Sequence, residues 1–146
     1  MPSAEHQVMI ERPAAEVFAF VADGLNGPAW RPGIVDISLI SGSGAAAIYK
    51  QGVKGPGGRR IDADYEITAY EPNQHLAFRA IAGPVRPTGE YRLEEVGEST
   101  RLTFSMRAEL TGLKKLLMGG AVQKTMDAEV AATERLRELL EARQAR

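Results

Sequence analysis

Apolar and polar residues alternate over positions 6–11 with the two-residue period of a half-buried β-strand. Pro13 ends this strand because proline has no backbone N–H group for the next ladder hydrogen bond. Over 14–22 the apolar residues recur at helical spacing, which predicts a short helix with the proline placed just before it. The segment 26–30 predicts a turn or a second short helix that carries Trp30.

Six further segments show the same two-residue period, and turn sequences rich in glycine, proline or asparagine separate them. They span 34–41, 45–53, 59–70, 76–80, 89–93 and 101–108. With the first strand, the pattern predicts seven antiparallel strands that turn one face to a core and the other to water. In the longest segment the row predicted to face inward is Ile61, Ala63, Tyr65, Ile67 and Ala69.

The strand period stops after Thr111 and Gly112, and the sequence stays helical to about Arg143. Gly119 and Gly120 weaken this helix and predict an irregularity at that point. A helix longer than the strands packs poorly on a flat sheet, so we expect an α+β architecture in which a curved sheet wraps around it. The stripe predicted to be buried, at about 100° per residue, is Val122, Met126, Val130, Thr133, Leu136 and Leu140.

Length, charge and cysteine content limit the kinds of partner. A chain of 146 residues suits one domain, over 1–146, that buries roughly two-thirds of its unfolded surface. Eighteen basic and nineteen acidic residues give a net charge of -1, so no field of the whole protein attracts nucleic acid or an anionic membrane. Without cysteine there is no disulfide or thiolate site, and the two histidines lie far apart, so no metal site is expected.

The sequence also carries no targeting or cofactor motif. No stretch approaches the roughly twenty apolar residues of a membrane-spanning helix. The N-terminus lacks the basic start and apolar run of a secretory signal, so we expect a soluble, cytoplasmic protein. The glycine clusters at 42–44 and 55–58 complete neither a phosphate-binding loop nor a dinucleotide fingerprint, and no cofactor is expected.

The order of these elements, together with several short motifs, resembles the START-like (SRPBCC) superfamily, with its pollen-allergen and polyketide cyclase/dehydrase branches. The likeness extends over essentially the whole chain and is most specific at the front, where strand, proline, helix, aspartate and tryptophan follow in the family's order. The motifs are Val8-Met9-Ile10-Glu11-Arg12-Pro13-Ala14-Ala15-Glu16-Val17-Phe18 with Val21, Asp23 and Trp30, then Tyr70-Glu71-Pro72, Leu76-Ala77-Phe78, Tyr91-Arg92-Leu93 and Ser99-Thr100-Arg101-Leu102-Thr103.

The resemblance implies a helix-grip fold, in which a seven-stranded curved antiparallel sheet surrounds a long C-terminal helix and two short helices join the first two strands. It further implies a cavity between sheet and helix for lipids, polyketides, hormones or similar molecules. Members of the superfamily include carriers, cyclases, hydrolase-like enzymes and stress-response subunits, so the function does not transfer with the fold.

Glu129 is the strongest candidate for chemistry in the sequence. On a helical wheel it lies within roughly 30° of the centre of the apolar stripe, beside Met126 and Thr133, so its carboxylate is expected to point toward the cavity. A desolvated carboxylate has a raised pKa and serves as a general acid or base, or it fixes the polar end of a ligand. Alternatively, Glu129 reaches water at the cavity edge or pairs with an arginine.

The other candidates supply walls rather than a catalytic set. Tyr65 and Tyr91 have the inward parity of their strands, and a phenol there can donate a hydrogen bond to a ligand carbonyl. Asp23 is expected to hold local backbone, and His6 and His75 to be partly exposed. The residues expected to bind the ligand are Trp30, Tyr65, Phe78, Tyr91, Phe104, Met126, Glu129 and Thr133.

Three functions from different classes agree with this pattern. The first is a carrier or sensor for a hydrophobic metabolite such as a lipid, a polyketide or an aromatic compound, because an apolar cavity needs no catalytic constellation. The second is a polyketide cyclase or dehydratase-like enzyme in which Glu129 and a tyrosine move protons. The third is a protein-interaction subunit of the stress-response or respiratory-chain accessory type.

Overall fold

The computed structural model describes residues 2–144 as an antiparallel sheet with helices packed on one side of it. The helices are α1 (Ala14–Ala22), α2 (Gly112–Ala131) and α3 (Thr133–Gln144), with short 3-10 turns at Gly24–Ala29, Gly44–Ala46 and Pro56–Gly58. The strands are β1 (Ser3–Ile10), β2 (Ile34–Ser41), β3 (Ile48–Lys54), β4 (Arg60–Asp62), β5 (Tyr65–Glu71), β6 (His75–Ala80), β7 (Thr88–Val96) and β8 (Ser99–Arg107).

The strands follow the order β1-β8-β7-β6-β5-β3-β2, and β4 pairs with β3 alongside this path. Strands adjacent in sequence form most of the neighbouring pairs, and β1 pairs with the last strand, from Ser3 opposite Arg107 to Ile10 opposite Thr100. The first two strands therefore lie at opposite edges of the sheet. Helix α1 and the Gly24–Ala29 turn make the long connection between those edges.

The C-terminal helices run along β1 and bury the predicted apolar stripe. The Ser3 N–H donates to Gln123 Oε1 at 3.1 Å, His6 Nε2 lies 2.7 Å from Glu134 Oε2, and the Glu11 N–H donates to Glu141 Oε2 at 2.8 Å. The stripe residues Met126, Val130, Thr133, Leu136 and Leu140 are buried, and Val122 is half-buried. These contacts confirm the helix-grip architecture, with two short helical segments between β1 and β2.

The break in the C-terminal helix lies at Ala132, and the irregularity predicted at Gly119 and Gly120 was wrong. Both glycines lie inside α2, whereas α2 and α3 meet at Ala132, whose N–H is shared between the Ala128 and Glu129 carbonyls. The buried hydroxyl of Thr133 donates to the Val130 carbonyl at 2.7 Å. Such a hydroxyl competes with the backbone hydrogen bonds of a helix and bends it. Gly119 and Gly120 only lower the helix propensity, and α2 continues through them.

The predicted strand over 59–70 is two strands, so the sheet has eight strands rather than seven. Residues 63 and 64 leave the ladder and bond Gln51 on β3 instead. The Ala63 N–H donates to the Gln51 carbonyl at 2.8 Å, Gln51 Nε2 donates to the Ala63 carbonyl at 3.2 Å, and the Gln51 N–H donates to Asp64 Oδ1 at 3.0 Å. Side-chain bonds of this kind replace regular pairing and end a strand locally.

A bulge in β5 changes which side chains face the core. The register against β6 shifts between Ile67 and Ala69, so the two-residue period does not continue through the strand. Ile67 and Tyr70 pack against the core, and the Tyr70 ring meets Phe18 edge-on with centroids 5.2 Å apart. The prediction that Ala69 continues the inward row was therefore wrong, because a one-residue shift exchanges the two faces.

None of the helices described between residues 2 and 144 is long and apolar enough to cross a bilayer. The longest, α2, carries several lysines and buries only Met126 and Val130. Its first half therefore contributes little to the core.

Gly24 has no room for a side chain. A Cβ atom there would lie 2.4 Å from the Tyr65 hydroxyl and 2.8 Å from Cζ of Tyr49, and its N–H already donates to the Tyr49 hydroxyl at 3.1 Å. We predict that Gly24→Ala lowers the free energy of unfolding in urea by about 1–3 kcal/mol through overpacking. Gly33→Ala is the matched control, because nothing lies within 4 Å of its Cβ position. Equal stability of the two variants would contradict this close approach.

Candidate functional site

Five of the predicted ligand-binding residues form one continuous group of aromatic rings inside the sheet. The Tyr91 and Phe104 rings stack with centroids 4.2 Å apart, and Trp30 meets them edge-on at 6.4 and 6.5 Å. Phe78 links this group to Tyr65, with centroids 5.5 Å apart. Trp30 is 3% exposed and Phe104 is 0% exposed. The rings therefore pack mainly on one another, and Trp30 also holds the short helical turns to the sheet.

Two further predicted residues lie on the helical side of this interior. Met126 is buried on α2. Thr133 is fully buried, and its hydroxyl proton is used by the Val130 carbonyl. The main role of Thr133 is therefore in the helix break. Its hydroxyl oxygen can still accept a hydrogen bond from a ligand.

Glu129 pairs with Arg31, which is the arginine alternative considered from the sequence. Arg31 Nε donates to Glu129 Oε1, and the two side chains are only 14% and 13% exposed. Arg31 Nη1 also donates to Gln51 Oε1 at 3.1 Å. We call these three residues the ion-pair cluster. It joins the segment before β2, strand β3 and helix α2 across the interior.

Local structure holds each member of the ion-pair cluster in place. The N–H groups of Trp30 and Arg31 both donate to the Gly27 carbonyl, which fixes the end of the Gly24–Ala29 turn. Gln51 is anchored on both sides by Ala63 and Asp64 at the gap between β4 and β5. Glu129 lies one turn before the helix break, and its carbonyl accepts from Ala132.

Burial and charge together determine the protonation of the groups around the pair. Burial alone would lower the pKa of Arg31, but the Glu129 carboxylate and the nearby phenols of Tyr91 and Tyr65 hold it above its usual value. Burial raises the pKa of Tyr91 and of Tyr65 well above 10, and the positive charge of Arg31 offsets only part of that rise. At neutral pH the Arg31 guanidinium is therefore charged, and the phenols of Tyr65 and Tyr91 are neutral.

The resulting arrangement offers hydrogen-bond donors and an acceptor inside an aromatic interior. Arg31 presents a fork of N–H donors, neutral Tyr65 and Tyr91 each carry an O–H, and Glu129 supplies carboxylate oxygens. A carbonyl, phenol or carboxylic acid on an otherwise apolar molecule finds matching partners there. Among the residues from 2 to 144, no group of three or more histidine, aspartate or glutamate side chains has the geometry to hold a metal ion.

Sequence reasoning missed Arg31 and Gln51. The signal for Gln51 was present, because it shares the parity of buried Tyr49 on β3 and lies in a run that otherwise turns apolar residues inward. Arg31 follows Trp30 in an irregular segment, and its partner lies 98 positions away. No local pattern points to a pairing over that distance.

Asp23, predicted to be structural, and the two histidines, predicted to be partly exposed, make the local contacts expected of them. Asp23 Oδ1 accepts from the Leu25 N–H at 3.0 Å and so caps the short turn that follows α1. His6 pairs with Glu134 and His75 with Glu71 and Glu90. Both histidines are half-buried near the surface, and each holds neighbouring elements together.

A surface cleft of about 710 Å³ opens where the β6–β7 connection meets the start of α2, and we call it the end cleft. Lys114 Nζ bridges its two sides by donating to the Pro84 carbonyl at 2.9 Å. A second depression of about 800 Å³ crosses mainly the polar face of β1, β8, β7 and β6. Of the predicted ligand-binding residues only Phe78 contributes to either of these two depressions.

A curved antiparallel sheet that holds a long C-terminal helix is the helix-grip architecture. The chain belongs to the polyketide cyclase / dehydrase and lipid transport family, whose model matches residues 1–141. A sequence search of the curated proteins found no match.

Solved structures share this fold at low sequence identity. TTHA0849 from Thermus thermophilus is 19% identical, with a TM-score of 0.79 over 94% of this chain and 95% of that one. The Zhui aromatase/cyclase from Streptomyces sp. R1128 is 18% identical, with a TM-score of 0.72 over 93% of each chain. A START superfamily protein from Mycobacterium smegmatis is 17% identical, with a TM-score of 0.72 over 97% of this chain and 95% of that one.

The Arg31–Glu129 pair is expected to couple the helix to the sheet energetically. We predict that Arg31→Met and Glu129→Leu each destabilise the protein by about 2 kcal/mol, because each leaves a largely buried partner without its counter-charge. The double variant should recover about 1–2 kcal/mol of the summed loss in urea unfolding. The more exposed Arg12–Glu16 pair is the reference and should show much weaker coupling. Strictly additive losses at Arg31 and Glu129 would contradict the coupling.

The buried phenols predict a loss of stability in alkali. Folding raises the pKa values of Tyr65 and Tyr91. In the unfolded chain a tyrosine has a pKa of about 10, so above pH 10 the unfolded state loses these two protons before the folded state does. The contribution of the two tyrosines to the free energy of unfolding is complete below pH 10. Above pH 10 it falls by about 1.4 kcal/mol per pH unit for each tyrosine. Urea unfolding between pH 8 and 11 measures this slope, and Tyr91→Phe should reduce it. An unchanged slope in Tyr91→Phe would disprove the assignment.

Proposed function

We propose that this protein binds a hydrophobic small molecule that carries a hydrogen-bonding polar group, and that it acts as a carrier or sensor for that molecule. One observation carries the proposal. A charged pair, Arg31 with Glu129, lies enclosed between α2 and the sheet beside two neutral phenols, in an interior that is otherwise largely aromatic and aliphatic.

An enclosed pair of this kind is hard to explain by stability alone. Removing two charges from water costs about as much as their attraction returns, and apolar residues of similar volume often serve a core equally well. The pair also keeps 13–14% exposure, whereas Trp30 beside it keeps 3%. The polar end of a guest can therefore reach Arg31 and Glu129 more readily than it can enter the packed rings.

The predicted ligand-binding residues take two roles in this proposal. Glu129 and the hydroxyls of Tyr65 and Tyr91 recognise the polar group, together with Arg31. The rings of Trp30 and its aromatic neighbours, with Met126 and Thr133, provide the wall against which the apolar body lies. Flat aromatic or polyketide-like molecules suit a wall of this kind, since ring faces and edges meet at centroid distances of about 4.5–7 Å.

A polyketide cyclase or dehydratase-like enzyme is the second candidate, and the same donor and acceptor set favours it. Arg31 and the neutral phenols can stabilise charge that develops on a carbonyl oxygen, and Glu129 can accept a proton from carbon or oxygen. The membership in the polyketide cyclase / dehydrase and lipid transport family supports both candidates equally. Incubation with a poly-β-ketone mimic separates them. A product distribution identical to that in buffer excludes the enzyme and leaves the carrier.

Binding is measured through Trp30, the only tryptophan in the chain. We predict that 1,8-dihydroxyanthraquinone, a rigid aromatic probe with carbonyl and phenol groups, quenches its fluorescence saturably and is retained in native mass spectrometry. Oleic acid tests the lipid alternative in the same assay. Glu129→Gln and Tyr91→Phe should each weaken anthraquinone binding about fivefold, the value of one hydrogen bond.

His75→Gln is the matched control for the binding assay, because His75 pairs with Glu90 on the other face of the sheet from Tyr91. This variant should bind the probe as the unmodified protein does. Failure of both probes to bind saturably, by fluorescence and by mass spectrometry, would overturn the proposed function.

A further inference from the structure

The charge of the ion-pair cluster is balanced within the protein. Arg31 Nε donates to Glu129 Oε1, and Arg31 Nη1 donates to Gln51 Oε1 at 3.1 Å. The first bond joins a positive to a negative charge, and the second adds a neutral amide. Arg31 and Glu129 keep only 14% and 13% exposure, so water and salt screen little of their attraction. The guanidinium therefore has its counter-ion before a guest arrives.

Gln51 gives Arg31 a second acceptor without adding a second charge. Its side chain is buried, with 4% exposure, and its Nε2 donates to the Ala63 carbonyl at 3.2 Å. This bond fixes which end of the amide faces Arg31, so the oxygen points to the guanidinium. The Arg31 guanidinium has more N–H donors than the bonds to Glu129 and Gln51 use. The cluster can therefore still donate to a guest, although its charge is already compensated.

Further charge near the cluster is negative. Asp64 Oδ1 accepts from the Gln51 N–H at 3.0 Å, and the negative charge of Asp23 acts on the phenol of Tyr65. Among the residues from 2 to 144, Arg31 is the one basic group whose charge acts on that phenol. Both histidines of the chain pair with glutamates elsewhere. The surroundings of the cluster thus offer no second positive charge to an anion.

We propose that the interior site selects guests whose polar group is uncharged, such as a ketone, an amide, an ester or a phenol, and that Glu129 sets this selectivity. The inference rests on the proposed function and names the class of guest. An ionised carboxylate would bring a second negative charge beside Glu129, and like charges at a poorly hydrated site are strongly unfavourable. A neutral carbonyl accepts from Arg31 without that cost.

A carboxylic acid can enter such a site only together with a proton. The proton comes from the solvent and resides on the guest or on Glu129, so one proton is taken up for each acid bound. A carboxyl group with an ordinary pKa of about 4 is neutral in only about one molecule in a thousand at pH 7. The affinity for an acid should therefore fall about tenfold per pH unit as the pH rises, whereas the affinity for a neutral guest of the same shape stays constant.

Two naphthalene probes that differ only in charge test the proposal. Naphthalene-2-carboxamide and naphthalene-2-carboxylic acid have the same shape and a single polar group, and isothermal titration calorimetry measures both between pH 5 and pH 7. We expect the amide to bind with constant affinity and the acid to bind at least about thirtyfold more weakly at pH 7. Titrations of the acid at pH 5.5 in buffers of different ionisation enthalpy should show an uptake of about one proton.

Glu129→Gln should reverse the preference for neutral guests. The variant keeps the shape of the side chain but leaves Arg31 without a counter-charge, which a guest carboxylate can supply through two parallel hydrogen bonds. The affinity for the acid at pH 7 should rise at least about tenfold without proton uptake, and that for the amide should fall about fivefold. Glu16→Gln is the matched control, because it removes the same charge from the Arg12–Glu16 pair beside α1. This control should leave both affinities unchanged.

The proton uptake is measured on the unmodified protein, so it tests the proposal even where a variant is unstable. Equal affinities for acid and amide at pH 7, or acid binding without proton uptake, would overturn the inference and leave the proposed function intact. An unchanged acid-to-amide ratio in Glu129→Gln, with a thermal midpoint showing that the variant is folded, would remove Glu129 from this role. Failure of the amide to bind would also overturn the inference, and the anthraquinone assay then decides the proposed function separately.

Discussion

Burial of one stripe of the C-terminal helix is the constraint on which the rest of this structure depends. Leu136 and Leu140 have no exposed surface, and they pack with the α1 side chains and the inner rows of β1 and β8 in one core. Full burial of a leucine contributes about 1.5–3 kcal/mol, so these few residues decide where the helix lies. Glu129 lies on α2, one turn before the break, and the packing of the C-terminal stripe also fixes its position.

The architecture could be predicted from the sequence because it depends on the hydrophobic period of each element and on the order of the elements along the chain. Alternation in the strands, the proline after β1 and the long apolar stripe each reflect the local chain and the burial of one face. The split between β4 and β5 could not be predicted in this way. Asp64 leaves the ladder because it accepts from Gln51, a residue on another strand, and the two-residue period alone continues smoothly across that point.

For the site too, features set by local geometry could be predicted, and features set by contacts between distant residues could not. The inward position of Glu129 followed from helical geometry, and the inward parity of Tyr91 followed from strand geometry. Arg31 lies in an irregular segment with no period, so its direction depends on the Gly27 carbonyl that holds it and on the carboxylate that it meets. The helix break was misplaced for a related reason, since glycine propensity is a weak preference and the buried hydroxyl of Thr133 decides the bend.

The pairing of β1 with β8 has a consequence for how the chain reaches this structure. Among the strands described between residues 2 and 144, β1 pairs with β8 alone, and Ser3 lies opposite Arg107. Contacts between such distant positions close large loops before they return any stability, which slows the search for the native state. In a nascent chain the first strand therefore stays unpaired until residues 100–107 have been synthesised, so the sheet closes at this edge late in folding.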